Sequence, residues 1–239
     1  MRIFEILEWR ALNRRVRFTS CATVRKAAPM TTTPSPAAAQ EHRKPQQERA
    51  VRTRNQVLRT AAELFAERGY AATSVVDIAE RVGMTKGAVY FHFKNKEAMA
   101  VAVVESNYEM WPEILRDVRA AGLDPRETVF ALLDRTAEAF QTDPMVQAAA
   151  RLQSERSLIN TPLPEPYVGW IRLLTELFEE ARRAGLLKEG LTSRAAAHVV
   201  VASFYGVQHI SDVLHRRIDL MDRWQELRDV TLETVLPRP

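Results

Sequence analysis

The chain has 239 residues, 46% of them hydrophobic, and 34 Lys or Arg against 30 Asp or Glu give a net charge of +4. That is enough apolar material for one medium or two small packed domains. No apolar run approaches the ~20 residues of a membrane helix, and a single cysteine, Cys21, excludes an intrachain disulfide framework and a Cys-based zinc site, so a soluble cytoplasmic protein without a membrane partner is expected.

The charge is divided along the chain. Residues 1–29 carry seven basic against two acidic side chains, residues 43–96 eleven against five, and residues 97–239 sixteen against twenty-two. A basic first part and an acidic remainder suit an electrostatic footprint for phosphate. Residues 1–29 fit no secretory signal, because Glu5, Glu8 and Arg10 interrupt the apolar run. Met30 opens a low-complexity run, TTTPSPAAAQ, so translation beginning there and a disordered leader over 1–45 are expected. Cations then accumulate from His42 to Arg54. Arg49 and Arg52 among them are candidates for phosphate or minor-groove contact, the alternative being a solvated basic leader.

Val57, Leu58, Ala61, Ala62, Leu64 and Phe65 recur on one side of a first helix that ends at Gly69. The next stretch, TSVVDIAERVGMTKGAVYFHFKNK from Thr73 to Lys96, reads as helix, tight turn, helix. Ser74 and Asp77 form a capping pair, Gly83 supplies the positive φ of the turn, and Thr85 is the N-cap of the second helix. That helix aims Val89 and Phe93 inward. Lys86, Gly87, Tyr90, Phe91 and His92 then form a face of small, aromatic and polar groups. In a DNA major groove, small residues permit close approach while Thr73, Thr85, Lys86, Tyr90 and Lys96 donate to phosphates or base edges. The alternative is a helical hairpin in a core, with Tyr90 and Phe91 buried.

The run from Arg52 to Met99, with its FAERGY, IAE, VGMTKGAVYFHF and closing KE, resembles the N-terminal domain of the TetR family of bacterial transcription regulators. The match covers roughly a fifth of the chain. It implies an all-α homodimer: a helix-turn-helix DNA-binding domain over 46–98, and a ligand-binding and dimerisation domain over 99–239.

Asn95 caps a long helix from Lys96 to about Ala121, on which Val101, Val104, Tyr108, Trp111, Leu115 and Val118 form one stripe. Pro112 interrupts it, and a kink near Tyr108 is expected. Asp124 and Asp143, each followed by proline, start two further helices. The three prolines of NTPLPEP rule out helix from Asn160 to Pro166, and an amphipathic helix then runs to Gly185. Two last helices, about Ser193–Arg217 and Asp219–Val235, carry broad apolar faces: Val200, Phe204, Val207 and Leu214 in one, Leu220, Trp224, Leu227 and Val235 in the other. Such faces either pair with their copies in a four-helix dimer interface or lie in the core.

Polar groups on apolar faces suggest a ligand site. Tyr108 lies on the inner stripe, Gln153 sits beside Leu152, and Tyr167 and Trp170 open the helix after the proline loop. A buried glutamine needs partners that a small polar ligand can supply, although a surface glutamine is the commoner case. The segments ESNYEMWPEIL, ARLQSERSLI, LPEPYVGW and FYGVQHISDVLHRR resemble receptors for butyrolactone-type signalling molecules. They are most similar to the methylenomycin furan receptor branch, which answers to alkyl hydroxymethyl furan carboxylic acids. This resemblance implies that Tyr108, Gln153 and Tyr167 hydrogen-bond the ligand's polar head and that Trp170 lines the pocket. Val104, Trp111 and Phe204 are candidates for apolar wall around its tail.

The function expected is a repressor of antibiotic biosynthesis genes that binds a pseudo-palindromic operator and is released by such a ligand. A ligand-blind pseudo-receptor, an activator and a helical adaptor without DNA are the alternatives. An enzyme is not expected: HExxH, GxSxG and a glycine-rich phosphate loop are all missing. No cofactor is expected either, and His198, His209 and His215 are poorly spaced for a shared metal.

Overall fold

The computed structural model describes residues 36–238, with side chains from 47 onward. Met30 and Cys21 lie outside the described residues. The order is α1 (Pro36–Arg68), α2 (Val75–Val82), α3 (Lys86–His92), α4 (Lys96–Ala120), α5 (Pro125–Thr142), α6 (Pro144–Ser154), α7 (Val168–Arg183), α8 (Ser193–His215), α9 (Leu220–Leu227) and α10 (Glu233–Val235). The last two are joined by a π-helical turn, Arg228–Leu232, and among the described residues there is no strand. The chain is all-α. The first helix begins ten residues before the expected boundary at 46, where an alanine-rich segment follows Pro36 at the first helical position.

Local chemistry sets the boundaries. Ser74 and Asp77 form a reciprocal capping box, and Gly83 ends α2 with φ 74°, its N–H shared between Ala79 O and Glu80 O. Thr85, Asn95, Asp124 and Asp143 cap α3, α4, α5 and α6 through their side-chain oxygens. Pro112 lies inside α4, and helical structure continues through it to Ala120. The proline-rich segment 160–166 is non-helical and contains no 3-10 turn; one precedes it at Arg156–Leu158.

Two cores result. One packs Phe65, Ile78, Val89, Phe93, Met99 and Val103 of α1 to α4 against Ala148, Ala149 and Leu152 of α6. The other gathers Trp111, Phe140, Trp170, Phe178, Phe204 and Trp224 from α4, α5, α7, α8 and α9. Only α4 and α6 place buried side chains in both cores, so any motion that changes how the cores sit involves these helices. The C-terminal segment is pinned by Arg126, which donates to Leu236 O at 2.9 Å and pairs with Glu233 at 2.7 Å, and by Trp224 Nε1, which donates to Asp134 at 2.8 Å.

The faces expected on the last helices differ in part from those observed. Val200, Phe204, Leu220, Trp224 and Val235 are core. The outward apolar strip is Val199, Ile210, Val213, Leu214, Ile218 and Val230. Val199, Ile210, Val213 and Leu214 of this strip lie on α8, Ile218 in the turn before α9 and Val230 in the π-helical turn.

Candidate DNA interface and ligand site

The α2–α3 unit is braced from behind. Arg81 makes a bidentate pair with Glu67 at 2.7 and 3.0 Å, tying α2 to the end of α1. With Val89 and Phe93 buried, α3 presents its other side outward. Phe91 is 82% exposed, Tyr90 42%, and Thr85, Lys86 and Gly87 are exposed. Exposed aromatic rings on a short helix are costly in water and suit a surface that meets a partner. The Lys86 ammonium lies 5.8 Å from the centroid of the Tyr90 ring, and Phe91 meets His92 edge to face at 5.2 Å. A β-carbon at Gly87 would have only Thr85 Oγ1 near it, at 4.0 Å. Arg49 and Arg52 are exposed on α1.

Two predicted contacts are placed differently. Thr73 is 1% exposed, and its hydroxyl donates to Gly69 O at 2.8 Å and Leu64 O at 3.2 Å. It is a structural pin and does not face outward. Lys96 folds back over the Tyr70 ring, 4.0 Å from its centroid, and donates to Tyr70 O at 2.8 Å and Thr73 O at 2.9 Å. Burial lowers its pKa. Lys96 therefore closes the α1–α2 loop, because two carbonyls left over at the loop need a donor.

Tyr108 packs against both cores, and predicted ligand residues meet around it. Gln153 Nε2 donates to Tyr108 Oη at 3.0 Å and to Pro164 O at 2.8 Å, so α6, α4 and the proline loop meet in one polar knot. Gln153 Oε1 is buried without a partner, as is Trp111 Nε1. Burial pushes the Tyr108 phenol up to about 12, offset in part by the Gln153 hydrogen bond, so it remains a neutral donor at physiological pH. Tyr167 lies at the start of α7 with φ 67°, a conformation that costs a non-glycine residue on the order of 1 kcal/mol or more.

Trp111 contacts Trp170 edge to face at 5.0 Å and stacks on Phe140 at 6.4 Å. Leu133, Thr136, Trp170, Leu174, Val201, Phe204 and Tyr205 line a small void with room for little more than one water between the side chains. Val104 is fully buried in the neighbouring core and does not line it.

Sequence reasoning missed Tyr205. Its ring meets Tyr167 at 4.6 Å, Phe140 at 5.7 Å and Phe204 at 6.0 Å, and burial raises its phenol pKa strongly, with Tyr108 and Tyr167 adding to the shift. It lines the aromatic void and packs against the start of α7. The only hint was its adjacency to Phe204 in FYG. Among the described residues, no group of three His, Cys, Asp or Glu could hold a metal, and no helix is long and apolar enough to cross a membrane.

Residues 57–103 match the family model for bacterial regulatory proteins of the tetR family. The A-factor receptor protein of Streptomyces griseus is 29% identical over 186 residues, 76% of this chain and 63% of that protein's length. A solved structure described as the molecular basis for control of antibiotic production by bacterial hormones is 53% identical, with a TM-score of 0.75, covering 78% of this chain and 98% of that one. CprB of Streptomyces coelicolor, solved in complex with its biological operator sequence, is 28% identical with a TM-score of 0.70, covering 79% of this chain and 91% of that one. These relatives, the exposed reading helix and the all-helical architecture behind it converge: the chain belongs to the tetR family of bacterial transcription regulators, with a helix-turn-helix DNA-binding domain at residues 57–103.

Proposed function

We propose that this protein is a dimeric repressor that binds a pseudo-palindromic operator and is released by a small signalling molecule of furan carboxylic acid or butyrolactone type, controlling antibiotic biosynthesis. The observation that carries the ligand claim is the polar knot. Gln153 Oε1 is an acceptor buried without a partner, on the amide that also holds the Tyr108 phenol, and a ligand with a hydroxyl on its polar head satisfies it. The wall around it accepts an alkyl tail. The void is too small for that tail as it stands, so binding must open the site, and a ligand that favours the opened state shifts the whole chain toward it. The described function of the 53% identical structure supports the antibiotic assignment.

On the DNA side, α3 enters the major groove with Lys86, Gly87, Tyr90, Phe91 and His92 toward it, Thr85 at its start, and Arg49 and Arg52 reaching phosphates. The exposed strip on α8 and beyond pairs with its copy, which sets two reading helices about 34–36 Å apart on one face of the duplex. The test is a gel shift with purified protein and the DNA beside its own gene, with and without synthetic furans, butyrolactones and butenolides. Release by one class is expected. A shift indifferent to all of them refutes the ligand claim, and no shift refutes the DNA claim.

A further inference from the structure

Three residues of one helical turn face two different sites. Gln153, at the end of α6, holds Tyr108 and the proline loop. Arg151 and Glu155 lie two positions to either side and face the opposite way, onto the end of α1. Arg151 Nη1 donates to Ala66 O at 3.0 Å and Glu67 O at 3.2 Å, capping carbonyls that the helix end leaves open. Glu155 accepts from Tyr70 N at 2.6 Å and is held by Arg151 Nε at 3.1 Å.

The fit around Glu155 is close. Gly69 has φ 82°, and a β-carbon there would collide with Glu155 Oε1. The grip then extends into the reading domain. Tyr70 donates its hydroxyl to Glu97 at 2.9 Å at the start of α4, and Lys96 clasps the carbonyls of Tyr70 and Thr73, one residue before the α2 cap.

We infer that the Arg151–Glu155 pair is the latch through which the state of the Gln153 pocket is communicated to the DNA-reading unit. This rests on the function proposed above and adds to it the regulation of that site. A ligand that bonds the free Oε1 of Gln153 draws the last turn of α6 toward the pocket, and that turn cannot move without dragging or releasing the Gly69–Tyr70 loop. Both residues are positioning residues: neither touches the pocket, and neither lies on α3.

The test uses full-length Arg151→Ala, Glu155→Ala and Glu155→Gln, the last keeping side-chain volume and an acceptor for Tyr70 should the alanine variants melt. Operator affinity is measured with and without a synthetic alkyl hydroxymethyl furan carboxylic acid and a synthetic butyrolactone. Probe affinity is read separately from the fluorescence of Trp111 and Trp170. In the wild type the ratio of operator affinities is expected in the range of about 5- to 150-fold. In the variants probe affinity stays within about threefold of wild type while the ratio collapses toward one. A ratio preserved in folded variants overturns the latch alone. Variants that lose operator binding outright overturn it too, making the pair a part of the reading fold. A wild type released by neither probe instead removes the function on which the latch rests.

Discussion

Replacing Gln153 with methionine separates binding from folding. Methionine keeps an unbranched side chain of similar length and removes both polar ends. Two hydrogen bonds disappear, to Tyr108 Oη at 3.0 Å and Pro164 O at 2.8 Å, each contributing about 1 kcal/mol net. The same change abolishes the unpartnered Oε1, whose burial costs about 1–3 kcal/mol. The two effects offset, and thermal stability should change by no more than about 1 kcal/mol. The ligand has no such compensation. Losing one or two hydrogen bonds to its polar head should weaken binding by about 1.4–2.8 kcal/mol, or ten- to a hundredfold. Titration of tryptophan fluorescence gives the midpoint, and a parallel melt gives stability. Operator affinity without ligand should remain within about twofold of wild type. An unchanged ligand midpoint would refute the role given to Gln153, and a collapse in melting temperature with no separate ligand effect would show that the knot is only structural.

Lys86→Ala should weaken operator binding and reduce the slope of log affinity against log salt by about one, as measured by fluorescence anisotropy across a salt series; an unchanged slope would take Lys86 off the phosphates. Glu179 is held down to about 2 by its hydrogen bonds from Arg182 and Ser193. A depressed carboxylate stabilises above its unfolded pKa and loses that contribution as pH falls toward the folded value, so the link between α7 and the start of α8 should loosen between about pH 4.5 and 2. Glu179→Gln should flatten the melting temperature against pH over that window, and a curve parallel to wild type would show that solvent screens the interaction away.

How much was legible in the sequence follows the range of the interaction. Ser74, Thr85, Asn95, Asp124 and Asp143 were readable as caps because a cap is decided within four residues of itself. Thr73 and Lys96 are residue types that suit phosphate, and nothing local in the sequence turns them inward. Their real partners, Gly69 O and Leu64 O for one and the Tyr70 and Thr73 carbonyls for the other, exist only once the loop has closed. Tyr205 was missed for the same reason, since its neighbours Tyr167 and Phe140 come from other helices. The contact between Glu155 and Tyr70 spans 85 residues, and no periodicity in either segment announces it. The resemblance implies the polar trio, and the structure brings Tyr108 and Gln153 into contact while Tyr167 packs against Tyr205.

Gly87 separates what the fold needs of the reading helix from what the proposed DNA contact needs of it. Gly87 is the second residue of α3, glycine is a poorer helix former than alanine, and beyond the local backbone a β-carbon there would have only Thr85 Oγ1 near it, at 4.0 Å. The fold therefore has room for a methyl group and would gain from one. Nothing in the fold itself asks for glycine here, whereas the proposed approach of DNA to that backbone does. Stability and recognition pull this position in opposite directions, so a screen for more heat-resistant variants would be drawn to alanine at 87 and would select, unawares, a regulator that holds its shape better and its operator worse.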